Sequence, residues 1–194
     1  ATVTWIPTHL SVESFVKAAK TLQFWDGLKD SLIMTAIPAA LQTFTLALAG
    51  YGLAHYRVPG KRFWLVLAVF IFLIPTQVTM IPRFLLFNSY HTIGTIWPVY
   101  LISLFGQGVK SSVFLLIYYN FFKSYPKSMD EAAKIDGAGA ATVFFRIALP
   151  MARPALVLTY LFSFIWIWND TTQLPQYSTG AVTTLPMHLQ QFVE

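Results

Sequence analysis

The sequence predicts an all-α chain that crosses a lipid bilayer several times. Apolar residues fill 56% of its 194 positions and charged residues only 11%. A soluble domain carries about 25% charged residues, so this chain has too few to cover a surface facing water. The apolar residues also gather into stretches of about twenty, the length an α-helix needs to span the hydrocarbon core of a bilayer. The basic residues cluster in the short polar intervals beside those stretches, as the positive-inside bias of membrane proteins requires.

These observations also exclude. There is no cysteine, so neither a disulfide framework nor a thiolate metal site is possible. His9, His55, His91 and His188 are scattered, with no pair four residues apart, and no metal site is expected. A net charge of +5 could point to nucleic acid, but its placement beside apolar spans explains it better. The chain starts at Ala1 without an initiator methionine and shows no signal peptide, and we expect a piece of a longer protein.

Residues 1–30 are mixed. Val12, Phe15, Val16, Ala19 and Leu22 recur at helical spacing, with Glu13, Lys17 and Lys20 on other faces. That pattern is a short amphipathic helix, lying on the membrane surface or, as the simpler reading, packing on the outside of a bundle. The membrane region is expected over 31–168. Its first span is Ser31–Ala54, with Asp30-Ser31 as N-terminal cap and Pro38 as a kink. Ala47, Gly50 and Gly52 thin one face for close helix packing. The next loop holds Arg57, Lys61 and Arg62 around a Pro59-Gly60 turn, which argues for the cytoplasmic side.

The second span, Phe63–Phe87, carries Pro75, Gln77 and Pro82 in an apolar setting, which fits a bent helix beside a polar pathway. Arg83 near its far end reads first as an interfacial anchor. The third span, Trp97–Phe122, is interrupted by Gly106-Gln107-Gly108 and by Lys110. A lysine at a helix centre costs about 2.5 to 3.5 kcal/mol on insertion scales, so Lys110 is expected to face the bundle interior, a partner or water. The fourth span is Ala152–Trp168, with Trp166 and Trp168 suited to an aromatic belt. Residues 169–194 are polar and contain no Lys or Arg. Four spans place both chain ends outside and two loops inside. The inner loops hold Arg57, Lys61, Arg62, Lys123, Lys127, Lys134, Arg146 and Arg153, against Lys17, Lys20 and Lys29 on the other side.

The longest charged interval, 123–153, carries the most specific pattern. Ser128 with Glu131 three residues on matches a capping box, so a helix is expected from about Met129 to Ile135. Asp136-Gly137 ends it, because glycine tolerates the left-handed conformation of a helix terminus. Ala132, Ala133, Ala138, Ala140 and Ala141 offer a thin surface that can enter a groove on another protein. Glu131-Ala132-Ala133, Gly137 after three residues, and Ile147 with Leu149-Pro150 after nine more spell E-A-A-x3-G-x9-I-x-L-P.

This spacing resembles the EAA loop of permeases in binding-protein-dependent ABC importers, and most closely the carbohydrate-uptake permeases akin to the maltose-type second permease subunit. Phe162–Asp170, Thr184-Leu185-Pro186 and Gln191-Phe192 are similar to further family segments. The sequence departs from the family in showing four spans of a usual six, which the resemblance attributes to a span missing on each side. It departs again at Thr171-Thr172-Gln173, where relatives are more apolar.

The resemblance implies a permease fold in the cytoplasmic membrane of a bacterium or archaeon, with 169–194 as an exoplasmic segment before the last span. It implies a second permease subunit, two ATP-binding subunits and an extracytoplasmic solute-binding protein as partners. ATP and magnesium belong to the ATPase chains, since no phosphate-binding G-x-x-x-x-G-K-[ST] is present here. The residues touching the ATPase would be Ser128, Glu131, Ala132, Ala133, Asp136, Gly137, Ile147, Leu149 and Pro150. Candidates for the substrate pathway are Gln77, Asn88, Tyr90, Gln107, Lys110, Trp166 and Asn169, with Trp97 as another stacking surface. The competing readings are a permease for a polyol, glycerophosphodiester or amino acid, and a transporter that works without ATP.

Overall fold

The computed structural model describes residues 12–178, 180 and 182–193, and every regular element among them is helical. In order these are α1 (Glu13–Thr21), α2 (Phe24–His55), α3 (Lys61–Leu73), α4 (Thr76–Ser89), α5 (Trp97–Leu104), α6 (Ser111–Ser124), α7 (Lys127–Ile135), α8 (Ala140–Val143), a π-helical turn (Phe144–Ala148), α9 (Leu149–Met151), α10 (Arg153–Trp168), α11 (Gln173–Ser178) and α12 (Leu185–Val193). His9 lies outside the described residues.

The bundle is built on α2, which packs against α5, α6, α10 and α12. Small residues make this possible. Ala47 and Gly50 are buried in α2, and a Cβ on Gly50 would run into the Tyr118 side chain and lie 3.0 Å from its carbonyl carbon. Gly52 has open space beside it and takes no part in this packing. Leu46, Tyr51, Phe114, Tyr118, Phe122, Phe144 and Ala148 close the core around the seam. The Tyr118 hydroxyl meets Thr159 of α10, so the buried phenol has the polar partner that burial demands.

The first span is longer than the sequence indicates. It starts at Phe24, with Gln23 in the left-handed region at φ 45° as its N-cap. Ser31 is therefore no cap: it is buried inside α2, and its Oγ accepts the amide of Leu185 at 2.8 Å, tying down the start of α12. Pro38 is buried within α2, which runs on through it.

Among the described residues α2 is the one helix long and apolar enough by itself to cross a membrane, and up to three spans count if each of two bent pairs is one. The second predicted span is such a pair. Pro75 disfavours helical geometry at Ile74, which is extended (φ −73°, ψ 123°), and α3 and α4 meet at 98°. The predicted span Ala152–Trp168 is α10, which follows the helical stretch 140–151 at a 75° bend. The third predicted span, Trp97–Phe122, is corrected to two short helices. Gly106 (φ 64°) and Lys110 (φ 54°) both take the left-handed conformation and break it. Rows of apolar side chains on α3 and α10 stay exposed, among them Phe63, Phe70, Leu73, Val157, Leu161 and Ile165, as for helices solvated by lipid.

In α1, Val12, Phe15 and Val16 are exposed. Its apolar face is therefore open rather than packed on the bundle.

Candidate functional site

Two places gather polar side chains in this apolar molecule: the α7 loop and a cavity at the breaks of the second and third spans.

The loop begins where α6 ends. Pro126 occupies the N-cap of α7, and no side chain caps the helix. The expected capping box does not form: the helix begins two residues earlier, at Lys127, so Ser128 lies inside its first turn and is exposed. The end of α7 follows the sequence. Gly137 sits at φ 80°, its amide donates to Lys134 O at 3.0 Å, and the Ala138 amide donates to Ala133 O at 2.9 Å. This paired closure is a Schellman motif. Glu131, Ala132, Asp136 and Gly137 are exposed, and Ala133 is half-buried. Ile135 is 86% exposed at the helix end. Ile147 lies in the π-helical turn, and Leu149 and Pro150 open α9; all three are half-buried on the return to α10.

The residue that holds α7 is Asp130, which reads in sequence as an ordinary first-turn acid. It is 4% exposed. Its Oδ2 accepts the Tyr51 hydroxyl at 3.2 Å and lies 3.1 Å from His55 Nε2, both on the last turns of α2. His55 stacks on Tyr51 with ring centroids 4.2 Å apart, and the tilted Tyr125 ring lies 5.6 Å from His55. Burial, then the neighbouring carboxylate, pushes the Tyr125 hydroxyl up to about 12, so it stays protonated across the physiological range. One signal could have found the set: Tyr51 and His55 stand four residues apart at the end of a span, so they share a face.

The cavity measures about 570 Å³ and lies between the α3–α4 corner and the 105–110 break. Gln77, Gln107 and Lys110 line it, as do Arg83, Thr76 and Ser112. Arg83 donates from Nη2 to Gln107 O at 3.2 Å. The Lys110 ammonium sits 5.1 Å above the Phe72 ring. Gln42, fully buried on α2, fixes the break by donating to Val109 O at 2.8 Å and Ser111 Oγ at 3.1 Å. A glutamine inside an apolar helix is the signal for this role, since it must find partners.

The remaining candidates lie elsewhere. Tyr90 lines a second cleft of about 580 Å³, which also touches Arg83 and Gln107. Asn88 is exposed and lines neither. Trp166 stacks on Phe114 at 5.7 Å in the core, and the Asn169 side chain donates to Ile165 O at 2.7 Å as the end of α10. The structure does not bring either of them to the cavity, because each is used to finish or pack its own helix.

Residues 44–186 match the family of the binding-protein-dependent transport system inner membrane component. The chain is 32% identical over 167 residues to a probable ABC transporter permease protein of Pyrococcus horikoshii, covering 84% of this chain and 59% of that protein. It is 30% identical over 190 residues to a diacetylchitobiose uptake system permease protein of Streptomyces coelicolor, covering 97% and 67%. Its fold is similar to a solved chain of a bacterial ABC transporter involved in the import of the acidic polysaccharide alginate, with a TM-score of 0.78 at 21% identity, over 100% of this chain and 65% of that one. The chain thus spans about three fifths to two thirds of the length of these three proteins.

Proposed function

The chain belongs to the binding-protein-dependent transport system inner membrane component family, and from that premise we propose that it is a permease subunit of an ABC importer moving a sugar or oligosaccharide across the cytoplasmic membrane of a bacterium or archaeon. The observation that carries the reading is the family match over 44–186, which takes in both the α7 loop and the cavity. The diacetylchitobiose relative supports a saccharide as cargo.

In this reading the loop 123–153 is cytoplasmic, and α7 enters a groove on an ATP-binding subunit. Ser128, Glu131, Ala132 and Gly137 lie on the exposed side available to that subunit. Asp130 fastens the helix to α2, so a push on α7 passes to the bundle's central helix as a rigid-body movement. ATP and magnesium are held by the ATPase chains, whose closure biases the two-state equilibrium between inward-facing and outward-facing forms. A second permease and an extracytoplasmic solute-binding protein complete the assembly. The cavity offers Gln77 and Gln107 as hydrogen-bonding groups for sugar hydroxyls and the Phe72 ring as an apolar wall.

The test is to purify the full complex with its solute-binding protein, reconstitute it, and screen saccharides for stimulation of ATP hydrolysis. At least one saccharide should stimulate hydrolysis and accumulate inside the vesicles. Stimulation confined to amino acids or glycerophosphodiesters would overturn the saccharide reading.

A further inference from the structure

We infer that the cavity between the α3–α4 corner and the 105–110 break is selective for anionic saccharides, with Arg83 and Lys110 as the groups that recognise a carboxylate. The inference rests on the reading of this chain as a saccharide permease and deepens it.

The observation is a pair of cations with no acidic side chain in the lining around them. Arg83 and Lys110 both line the cavity, and no aspartate or glutamate does among the described residues. Neither takes part in an ion pair among the described residues. Asp170 lines a neighbouring cleft with Gly108 and Val109 but not this cavity. Its Oδ1 accepts from the Thr172 and Gln173 amides at 2.9 Å each and from the Thr172 hydroxyl at 3.0 Å, at the start of α11. Among the described residues Arg83 has one protein acceptor, the Gln107 carbonyl, which leaves the rest of its donor fork available. Among the same residues Lys110 has the Phe72 ring, 5.1 Å from its ammonium, and no hydrogen-bonding oxygen.

Cations at membrane depth are tolerated where they meet an opposite charge, water or a ligand. Lys110 is also held in place at a backbone cost. A lysine at φ 54° is in a region that glycine fills without strain. Buried Gln42 and the Ser111 hydroxyl, which donates to Gly108 O at 2.6 Å, hold the break in that shape. Strain kept by surrounding structure marks places where a side chain is being aimed. Here it aims a positive charge into a cavity already walled by Gln77, Gln107 and an aromatic ring, a set that suits a sugar bearing a carboxylate.

The test uses the reconstituted full complex with its binding protein, and two probe sets: neutral oligosaccharides and oligosaccharides of uronic acids. The expected result is stimulation and uptake with uronic-acid oligosaccharides. Lys110→Gln and Arg83→Gln should each raise the KM for that uptake about tenfold, and Lys110→Arg and Arg83→Lys should restore most of it. Lys110→Gly is the folding control, because it removes the charge while relaxing the backbone. It should match Lys110→Gln in uptake and equal or exceed the unaltered protein in thermal stability. Uptake of neutral oligosaccharides alone, or a KM for uronic-acid oligosaccharides unmoved by any of these variants, would overturn the inference and leave the saccharide permease standing. If no saccharide of either set stimulates hydrolysis, the saccharide reading itself falls and the inference with it.

Discussion

Removing the Asp130 carboxylate should detach α7 from α2 while the bundle stays folded. Asp130 is 4% exposed, with Tyr51 Oη 3.2 Å and His55 Nε2 3.1 Å from one of its oxygens. A hydrogen bond to a charged group contributes about 1.5 to 3 kcal/mol. Tyr51→Phe removes one such bond and keeps the ring stack on His55, so it should shift the docked-to-undocked ratio of α7 roughly tenfold, since about 1.4 kcal/mol is one decade. Asp130→Ala removes both contacts and leaves buried polar groups on α2. Losing both contacts and stranding their buried partners costs more than losing one bond, so the shift should exceed that of Tyr51→Phe. The assay is amide hydrogen exchange of residues 127–135 in the lipid-embedded complex, with saccharide uptake per ATP hydrolysed measured in parallel. Exchange should quicken in α7 and not in α2 or α6, in the order Asp130→Ala over Tyr51→Phe, and the uptake-to-hydrolysis ratio should fall in the same order. Exchange in α7 at the unaltered rate in both variants, or equal quickening throughout the bundle, would refute the anchoring role.

Gly137→Ala adds only a Cβ, which meets nothing within 4 Å, so its cost of about 1 to 2 kcal/mol is backbone strain at φ 80° alone. It should lower uptake per ATP while the amount of chain in the membrane stays unchanged, as read by quantitative blotting. Gly50→Leu drives a side chain into Tyr118 and its backbone; overpacking typically costs about 1 to 3 kcal/mol, and it should lower the apparent Tm of the detergent-solubilised complex by several degrees or prevent its assembly. Ser31→Ala leaves the Leu185 amide without its acceptor, a loss of about 1 to 3 kcal/mol, and should appear as faster hydrogen exchange confined to 185–193.

The all-α class was legible because scarcity of charge and the length of apolar stretches are properties of whole segments, insensitive to where any one residue points. The end of α7 was legible for a local reason: Asp136-Gly137 needs no distant partner to stop a helix. Its start was not, because Ser128 fits an N-cap by type while the helix begins directly behind Pro126, without a side-chain cap, as the path of the chain out of α6 decides. Asp130 stayed hidden for a related reason. An acid in the first turn of a helix is well placed on the surface, and its burial follows from Tyr51 and His55, some eighty residues earlier. Ser31 looked like a cap beside Asp30, but the helix begins at Phe24, and the partner of Ser31 is 154 residues away. Pro75 announced a bend, and the third span carried its own glycines, yet neither sequence feature states that the two breaks face one another. That juxtaposition puts Arg83, Gln107 and Lys110 in one cavity. Trp166 and Asn169 resembled ligand-facing groups by type, while the packing of α10 uses them for a ring stack and a helix end.

The most direct test of the permease reading uses the absence of cysteine from the chain. Ala132→Cys places a thiol on the exposed side of α7, and Leu189→Cys places one at an exposed position of α12. In the assembled complex, a short thiol-directed photocrosslinker at position 132 should join the chain to an ATP-binding subunit, with a yield that changes when ATP is added. The same reagent at position 189 should leave that subunit unlabelled and reach the solute-binding protein or the lipid. A crosslink to the ATP-binding subunit from position 189 and none from position 132 would contradict both the role of α7 and the orientation of the chain.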